Sequence, residues 1–226
     1  MHKTLILLLS LALACSPKQQ ELTLEEKLDL IHQNAAKVNP FETYADELFK
    51  VDCSQVDQML YDIFEADQEV RMEELPMEAT DHSNLIKVLS ILKSCGLPKV
   101  NQLGSTESMN AIAYVLQHQR NQDISAYFLP TIQKGFETAL FSPEIWARII
   151  DRQLMFNGYK QVYGTNFFDG KLYELENPDE VQERRDAMGL GQSFETILDY
   201  NGLTLEEALA DQYPAEQLQR ILVKPN

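Results

Sequence analysis

Residues 54–74 read SQVDQMLYDIFEADQEVRMEE, and they carry the pattern that decides the fold of this chain. Apolar side chains recur there at the 3.6-residue period of an α-helix, at Val56, Met59, Leu60, Ile63 and Phe64. Ser54 stands where a helix cap is expected, and Pro76 follows the pattern as a helix breaker. The stretch therefore predicts one amphipathic helix with a buried apolar face.

Helical signals of the same kind recur from residue 23 onward, each opened by a capping residue or a proline. The predicted helices run over about 23–37, 42–50 and 54–74, from Asp81 or Ser83 to Gly96, from Thr106, over about 123–140, 142–156 and 177–189, and from Ser193 and Thr204. Pro130 is expected to kink or split the helix that contains it.

One segment departs from the helical pattern. Between Gln161 and Glu174, aromatic and β-branched residues flank Asp169-Gly170, a strong signal for a tight β-hairpin turn. Alternation along this segment predicts that Gln161, Tyr163 and Thr165 share one face. The sequence therefore predicts a mainly α fold, a single helical domain with one small β-hairpin at about 161–174.

The first fifteen residues have the pattern of an export signal. A short cationic start is followed by a leucine-rich apolar run that is too short to span a bilayer and that ends at Cys15. Residues 11–15 resemble a bacterial lipobox, whose cysteine receives a diacylglycerol thioether. Ala12 and Leu13 depart from its commonest residues, and the same bond also suits ordinary signal peptidase.

These features divide the chain into a signal peptide (1–14), a lipid-attachment cysteine with a polar tether (15–22) and a helical domain (23–226). We expect an exported lipoprotein attached to the membrane only through its lipid. The residue after Cys15 is Ser16, which favours the outer membrane or a periplasm-facing position. The alternative is a soluble secreted protein.

The composition indicates a globular protein and argues against binding to nucleic acids. Hydrophobic residues make up 44% of the chain, as in globular proteins, and the formal net charge of −16 repels nucleic-acid phosphates. We expect no nucleic-acid partner. The expected partner is an unknown small molecule or another protein of the cell envelope.

Cys53 and Cys95 have two possible states in an oxidising compartment. A disulfide between them would close a long loop and stabilise the fold by about 4 kcal/mol. Cys95, however, falls on the apolar face of a predicted helix, where a free cysteine acts as a small hydrophobic side chain. This position favours the unpaired state.

Polar side chains on predicted apolar faces are the candidates for function, because a buried polar group must be paired or must contact a ligand. Asp67 and Arg71 form one such pair at i, i+4. The catalytic candidates are His118, Asp151 and Tyr163. The ligand-binding candidates are Arg71, Asn84, Arg152, Gln161 and Arg185. For each of them, a structural polar network is the competing interpretation.

Several of these residues also form an ordered series of motifs. The series includes Gln117-His118, Asp151-Arg152, Gln161-Val162-Tyr163-Gly164-Thr165 and Arg184-Arg185-x-x-x-Gly189-Leu190. From about 61 to 200 the chain resembles a bacterial domain family of unknown function that has Gln-His, Asp-Arg and Gln-x-Tyr-Gly-Thr-Gln elements. Asn166 departs from the glutamine that ends the third element. The resemblance implies a shared fold and a shared polar centre, and it implies no reaction.

Two functions remain open at this point. The first is a lipid-anchored binding or interaction domain with an internal polar scaffold. The second is a hydrolase-like enzyme in which His118 is the general base, Asp151 orients it and arginines hold an anionic substrate. The sequence has no metalloprotease, nucleophile-elbow, P-loop or dinucleotide motif. His32, His82 and His118 are too scattered for a zinc site without additional carboxylate ligands. No metal and no cofactor are therefore predicted.

Overall fold

The computed structural model describes residues 22–215. Within that range no helix combines the length and the apolar character that crossing a bilayer requires. The predicted signal peptide, Cys15 and nearly all of the tether lie outside the described residues, as do the last eleven residues of the predicted helical domain.

The described chain is mainly helical with one two-stranded antiparallel hairpin, so the predicted fold class is confirmed. The helices are α1 (Leu24–Ala35), α2 (Pro40–Thr43), α3 (Val56–Met72), α4 (Glu78–Cys95), α5 (Thr106–Gln117), α6 (Gln122–Tyr127), α7 (Leu129–Glu137), α8 (Pro143–Phe156), α9 (Val181–Met188), α10 (Phe194–Tyr200) and α11 (Leu205–Ala210). The strands are β1 (Phe167–Phe168) and β2 (Lys171–Leu172).

Capping residues begin most helices where the sequence predicts. Thr23 forms a full capping box with Glu26, and Ser142 caps α8 one residue before Pro143. Pro130 lies in the first turn of α7, and the predicted helix over 123–140 is split into α6 and α7.

Four predicted helix starts or extents are wrong. The helix predicted over 177–189 begins only at Val181, after a 3₁₀ turn over Pro178–Glu180. α4 begins at Glu78 rather than at Asp81 or Ser83, because acidic residues in the first turn favour a helix start without a side-chain cap. Ser54 lies in a 3₁₀ turn capped by Asp52, and α3 begins only at Val56. The predicted 42–50 helix is limited to the single turn of α2, after which the chain continues in turns.

The helices α1 to α8 surround one hydrophobic core, in which α3 packs most extensively against α5. A second, smaller core holds the hairpin against α9, α10 and α11. Its buried members are Leu172, Leu175, Val181, Phe194, Leu198 and Ala208. A third, small cluster of Met155, Tyr173 and Ala215 lies between the end of α8 and the residues that follow β2.

The hairpin is shorter than the sequence predicts. Its paired strands cover only residues 167–172, and Asp169-Gly170 forms the turn as expected. The predicted alternation of Gln161, Tyr163 and Thr165 on one strand face is wrong, because residues 162–166 form a loop. Gly164 has φ +68° there, and a Cβ atom at this position would lie 2.4 Å from the Phe194 ring.

Cys53 and Cys95 form a disulfide, so the prediction of unpaired thiols is wrong. Cys95 is the last residue of α4, where it is only partly buried, and Cys53 lies in the 3₁₀ turn before α3. The helical phase of Cys95 identified its apolar side. It could not show that this side faces the turn that carries Cys53.

Replacing both cysteines, Cys53→Ala with Cys95→Ala, is expected to lower the free energy of unfolding by about 2–4 kcal/mol. The reason is that the bond closes a loop across a sequence separation of 42 residues. Urea denaturation of the oxidised protein and of the double variant measures this difference. Reduced native protein is the control and should match the variant. Equal midpoints for all three proteins would contradict the prediction.

Candidate functional site

The candidate residues separate into two polar groups. The first group centres on Asp67 of α3. It includes Arg71 of α3, Asn84 of α4 and His118 at the C-terminal end of α5. The second group contains Asp151, the loop that its carboxylate holds, and Arg185. We call Asp151, Arg185 and residues 161–166, which include Gln161 and Tyr163, the loop cluster.

Asp67 is the centre of the first group. Its side chain is only 1% exposed, and its Oδ1 lies 2.8 Å from Arg71 Nη1 and 3.0 Å from His118 Nδ1. Arg71 also reaches Asp81 at 2.8 Å, and Gln68 donates to the second oxygen of Asp67. The buried carboxylate therefore has partners for both oxygens, as burial of a charge requires.

Helix packing positions these side chains. Asp67 and Arg71 are one turn apart on α3, and His118 caps the C-terminal end of α5, the helix that packs most closely on α3. Tyr114 stacks on the His118 ring with centroids 6.0 Å apart. Asn84 donates to the carbonyl of Ile63 at 3.2 Å. Ile63 precedes Asp67 by one turn of α3.

This arrangement leaves one ring nitrogen of His118 available. The side chain of His118 is 19% exposed, and its Nε2 has no hydrogen-bond partner within residues 22–215. A carboxylate at Nδ1 favours the tautomer that is protonated there, so the lone pair of Nε2 is free to accept a proton.

Arg152 belongs to neither network through hydrogen bonds. Its guanidinium carbon lies 5.1 Å from the centre of the Phe156 ring, and its Nε is buried with no partner in the described part of the chain. Burial lowers the pKa of Arg152, and the positive charge of Arg71 lowers it further. The like charge of Arg71 therefore acts on Arg152 across the two helices.

Asp151 is the centre of the loop cluster and is fully buried. Its carboxylate accepts from the amides of Val162 at 2.7 Å, Tyr163 at 2.9 Å and Thr165 at 3.0 Å, and from the Thr165 hydroxyl at 2.9 Å. Burial raises the pKa of Asp151, and these hydrogen bonds act in the opposite direction. The carboxylate therefore holds the loop closed against α8.

The arginines of α9 hold the carbonyl side of the same loop. Arg185 is 3% exposed and donates to the carbonyls of Tyr163, at 2.7 Å, and Gln192. Arg184 donates to the Val162 carbonyl at 2.9 Å. Arg185, a predicted ligand-binding candidate, therefore has its donors directed to loop carbonyls, which replace its hydration.

Gln161 joins the loop to the hairpin. Its amide nitrogen donates to the Tyr173 carbonyl at 2.6 Å, and its oxygen accepts from the Asn166 amide at 3.0 Å.

Burial raises the pKa of Tyr163 to about 12, and the charge of Asp151 acts in the same direction. Tyr163 is therefore neutral at physiological pH and unsuited to act as a base.

The predicted pairing of Asp151 with His118 is wrong. The carboxylate at His118 Nδ1 belongs to Asp67, while both oxygens of Asp151 are occupied by the loop. Helical phase places His118 and Asp151 on the apolar faces of two separate helices. Phase alone could not show which carboxylate each face meets.

One small cleft adjoins the loop cluster. Its volume of about 80 Å³, beside Arg185 and Thr165, is enough for water but not for an organic substrate. Clefts of about 490 and 330 Å³ lie elsewhere, and none of the sequence-predicted candidates lines them. In residues 22–215 no three His, Cys, Asp or Glu side chains are arranged to hold a metal ion.

Sequence reasoning missed one buried charge. Lys27 is 4% exposed and pairs with Glu176 at 2.6 Å, which connects α1 to the segment before α9. The helical phase of α1 contains the signal, since Lys27 precedes the buried Ile31 by four residues and shares its face.

Comparisons of the chain with protein-family models, with curated proteins and with solved structures found no match. The resemblance to a bacterial domain family therefore stays a prediction.

Replacing Asp151 tests the role of the loop cluster. Asp151→Asn is expected to lower the free energy of unfolding by about 3 kcal/mol or more, because an amide group cannot accept from four donors and turns an N–H₂ toward them. Urea denaturation measures the loss. The matched control is Glu183→Gln on the exposed side of α9, which should change stability little. Equal stability of the two variants would contradict the structural role.

Proposed function

We propose that this protein is an exported, lipid-anchored protein of the bacterial cell envelope that acts as a binding or interaction domain. In this proposal its buried polar centre is scaffold rather than catalytic machinery. The observation that carries the proposal is the saturation of Asp151, whose two oxygens receive four donors from one loop under full burial. A carboxylate with this many internal partners has no capacity left for a substrate.

The other members of the loop cluster support the same interpretation. Gln161 and Arg185 direct their side-chain donors to backbone carbonyls. The adjoining cleft of about 80 Å³ is too small for a substrate. The polar residues that stand out in the sequence thus join the helical core to the hairpin and α9.

Export is supported by two independent features. The apolar run that ends at Cys15 has the pattern of a lipoprotein signal. The disulfide between Cys53 and Cys95 is of a kind that forms in oxidising compartments and is rare in the cytosol. The whole chain has a net charge of −16, so the acidic domain is repelled by anionic headgroups and stays clear of the membrane surface beyond its tether.

The lipid anchor is tested by Cys15→Ser. We expect the native protein to fractionate with membranes and the variant to become soluble, because the acyl chains on Cys15 are the only proposed attachment. Membrane fractionation followed by mass spectrometry of the N-terminal peptide measures both the location and the lipid. Cys53→Ala is the control and should remain membrane-bound. If Cys15→Ser fractionates like the native protein, secretion without a lipid replaces the proposal.

One observation favours a second candidate function, a hydrolase-like enzyme. His118 has a buried carboxylate at Nδ1 and a free Nε2, the arrangement of a general base, and Arg71 shares the same carboxylate. In this candidate Asp67 rather than Asp151 orients the histidine.

For this enzyme candidate, His118→Ala is expected to lower the melting temperature by less than half as much as Arg71→Ala. Arg71 pairs with both Asp67 and Asp81, whereas catalytic residues are often locally unfavourable for stability. Differential scanning calorimetry measures both variants, and His82→Ala, which removes an exposed partner of Glu47, is the matched control. A loss for His118→Ala as large as that for Arg71→Ala would contradict the enzyme candidate.

A further inference from the structure

The cleft of about 490 Å³ lies among α9, α10, α11 and the 3₁₀ turn before α9, and we call it the α9–α11 groove. Apolar side chains from the three helices form much of its wall, namely Val181, Phe194, Leu205 and Leu209. Leu205 is 50% exposed, so this wall keeps apolar surface in contact with water. The volume is within the range of ligand sites, and covering the exposed apolar surface is favourable.

Two carboxylates also line the α9–α11 groove, Asp179 in the 3₁₀ turn and Glu195 in the first turn of α10. Both residues are exposed, and neither side chain forms an ion pair or a hydrogen bond with residues 22–215. The neutral polar side chains of the wall, Gln182 and Ser193, already hydrogen-bond to neighbouring parts of the chain. The unused side-chain acceptors of the groove are therefore negatively charged.

The negative charge extends beyond the groove itself. Residues 178–210 contain eight acidic residues and two basic ones, Arg184 and Arg185. Both arginines direct donors to backbone carbonyls of the loop cluster, so they neutralise little of the surface around the groove. Because the acids are spread over the turn and the three helices, a partner with several positive charges complements this surface better than one with a single charge.

We propose that the α9–α11 groove docks a basic amphipathic segment of another protein of the cell envelope. Apolar side chains of that segment cover Phe194 and Leu205, and its lysines or arginines face Asp179 and Glu195. A second copy of this chain is a poorer occupant, because it would bring the same acidic surface to the groove. The inference rests on the proposed binding function and names the chemistry of its partner.

Fluorescence anisotropy of labelled probes tests the docking. All proteins carry Cys15→Ser, so that neither acyl chains nor detergent can bind the probes. The basic probe is a helical peptide of leucine and lysine with the leucines on one face, and the acidic probe has glutamate at every lysine position. Octylamine, added as a competitor, is a small molecule with one positive charge. We expect the basic probe to bind at least about tenfold more tightly than the acidic probe, which the groove repels, and octylamine to compete only weakly.

Two double variants test the charge. Asp179→Asn with Glu195→Gln removes both carboxylates of the groove and should weaken binding of the basic probe by about threefold or more. Asp29→Asn with Glu69→Gln removes two exposed charges outside the groove and is the matched control, which should change the affinity little.

Two single variants test the apolar wall. Leu205→Ser should weaken binding of the basic probe by about fivefold or more, because it removes a half-exposed leucine that docking would cover. Leu30→Ser is the matched control, since Leu30 is 40% exposed on α1 and does not line the groove. Methyl NMR signals of Val181 and Leu209 locate the contact.

Several results would overturn the proposal. They are no binding of the basic probe, equal binding of the acidic probe, competition by octylamine at the affinity of the peptide, or equal effects of the groove variants and their controls. If the basic probe fails to bind while Cys15→Ser releases the protein from membranes, this inference falls and the proposed lipid anchor stands.

Discussion

The interaction on which the rest of the structure depends is the one between the Asp151 carboxylate and the amides of the loop that follows α8. A buried carboxylate needs donors, and a buried loop needs acceptors for its amides. Here each satisfies the other, with four donors on two oxygens. Because this loop connects the two hydrophobic cores, the hairpin and α9 are positioned by a polar contact rather than by apolar packing alone.

The same principle explains how an acidic chain keeps charges inside. Acidic residues outnumber basic ones by 35 to 19, yet the buried acids each meet a donor set. Asp67 has Arg71, His118 and Gln68, and Glu176 holds the buried Lys27. The pairs Asp67–His118 and Lys27–Glu176 join elements that are distant in sequence. Buried pairs add little net stability, but removing one partner is costly, so they favour one arrangement of the helices over others.

Local signals predicted most of the fold. The 3.6-residue period of α3, the capping box at Thr23 and the break at Pro130 depend on neighbours a few residues away, which the sequence displays directly. The loop cluster was mispredicted because alternation of Gln161, Tyr163 and Thr165 imitates a strand when the partner of the segment is unknown. The disulfide and the pairing of His118 with Asp67 join elements 42 and 51 residues apart, and no local pattern specifies such contacts.

Polarity on an apolar face identified the right residues but did not separate scaffold from site. What separates them is hydrogen-bonding capacity left over after folding. Asp151, Gln161 and Arg185 have their contacts supplied by the backbone, and they drew attention only because they are polar. His118 differs from them, because Asp67 occupies its Nδ1 while its Nε2 has no hydrogen-bond partner in the described part of the chain. A group that folding leaves unsatisfied has more to gain from a ligand than one that folding has already paired. By this criterion the saturated loop cluster gains least from a ligand, whereas His118 keeps an unpaired ring nitrogen beside the buried Asp67.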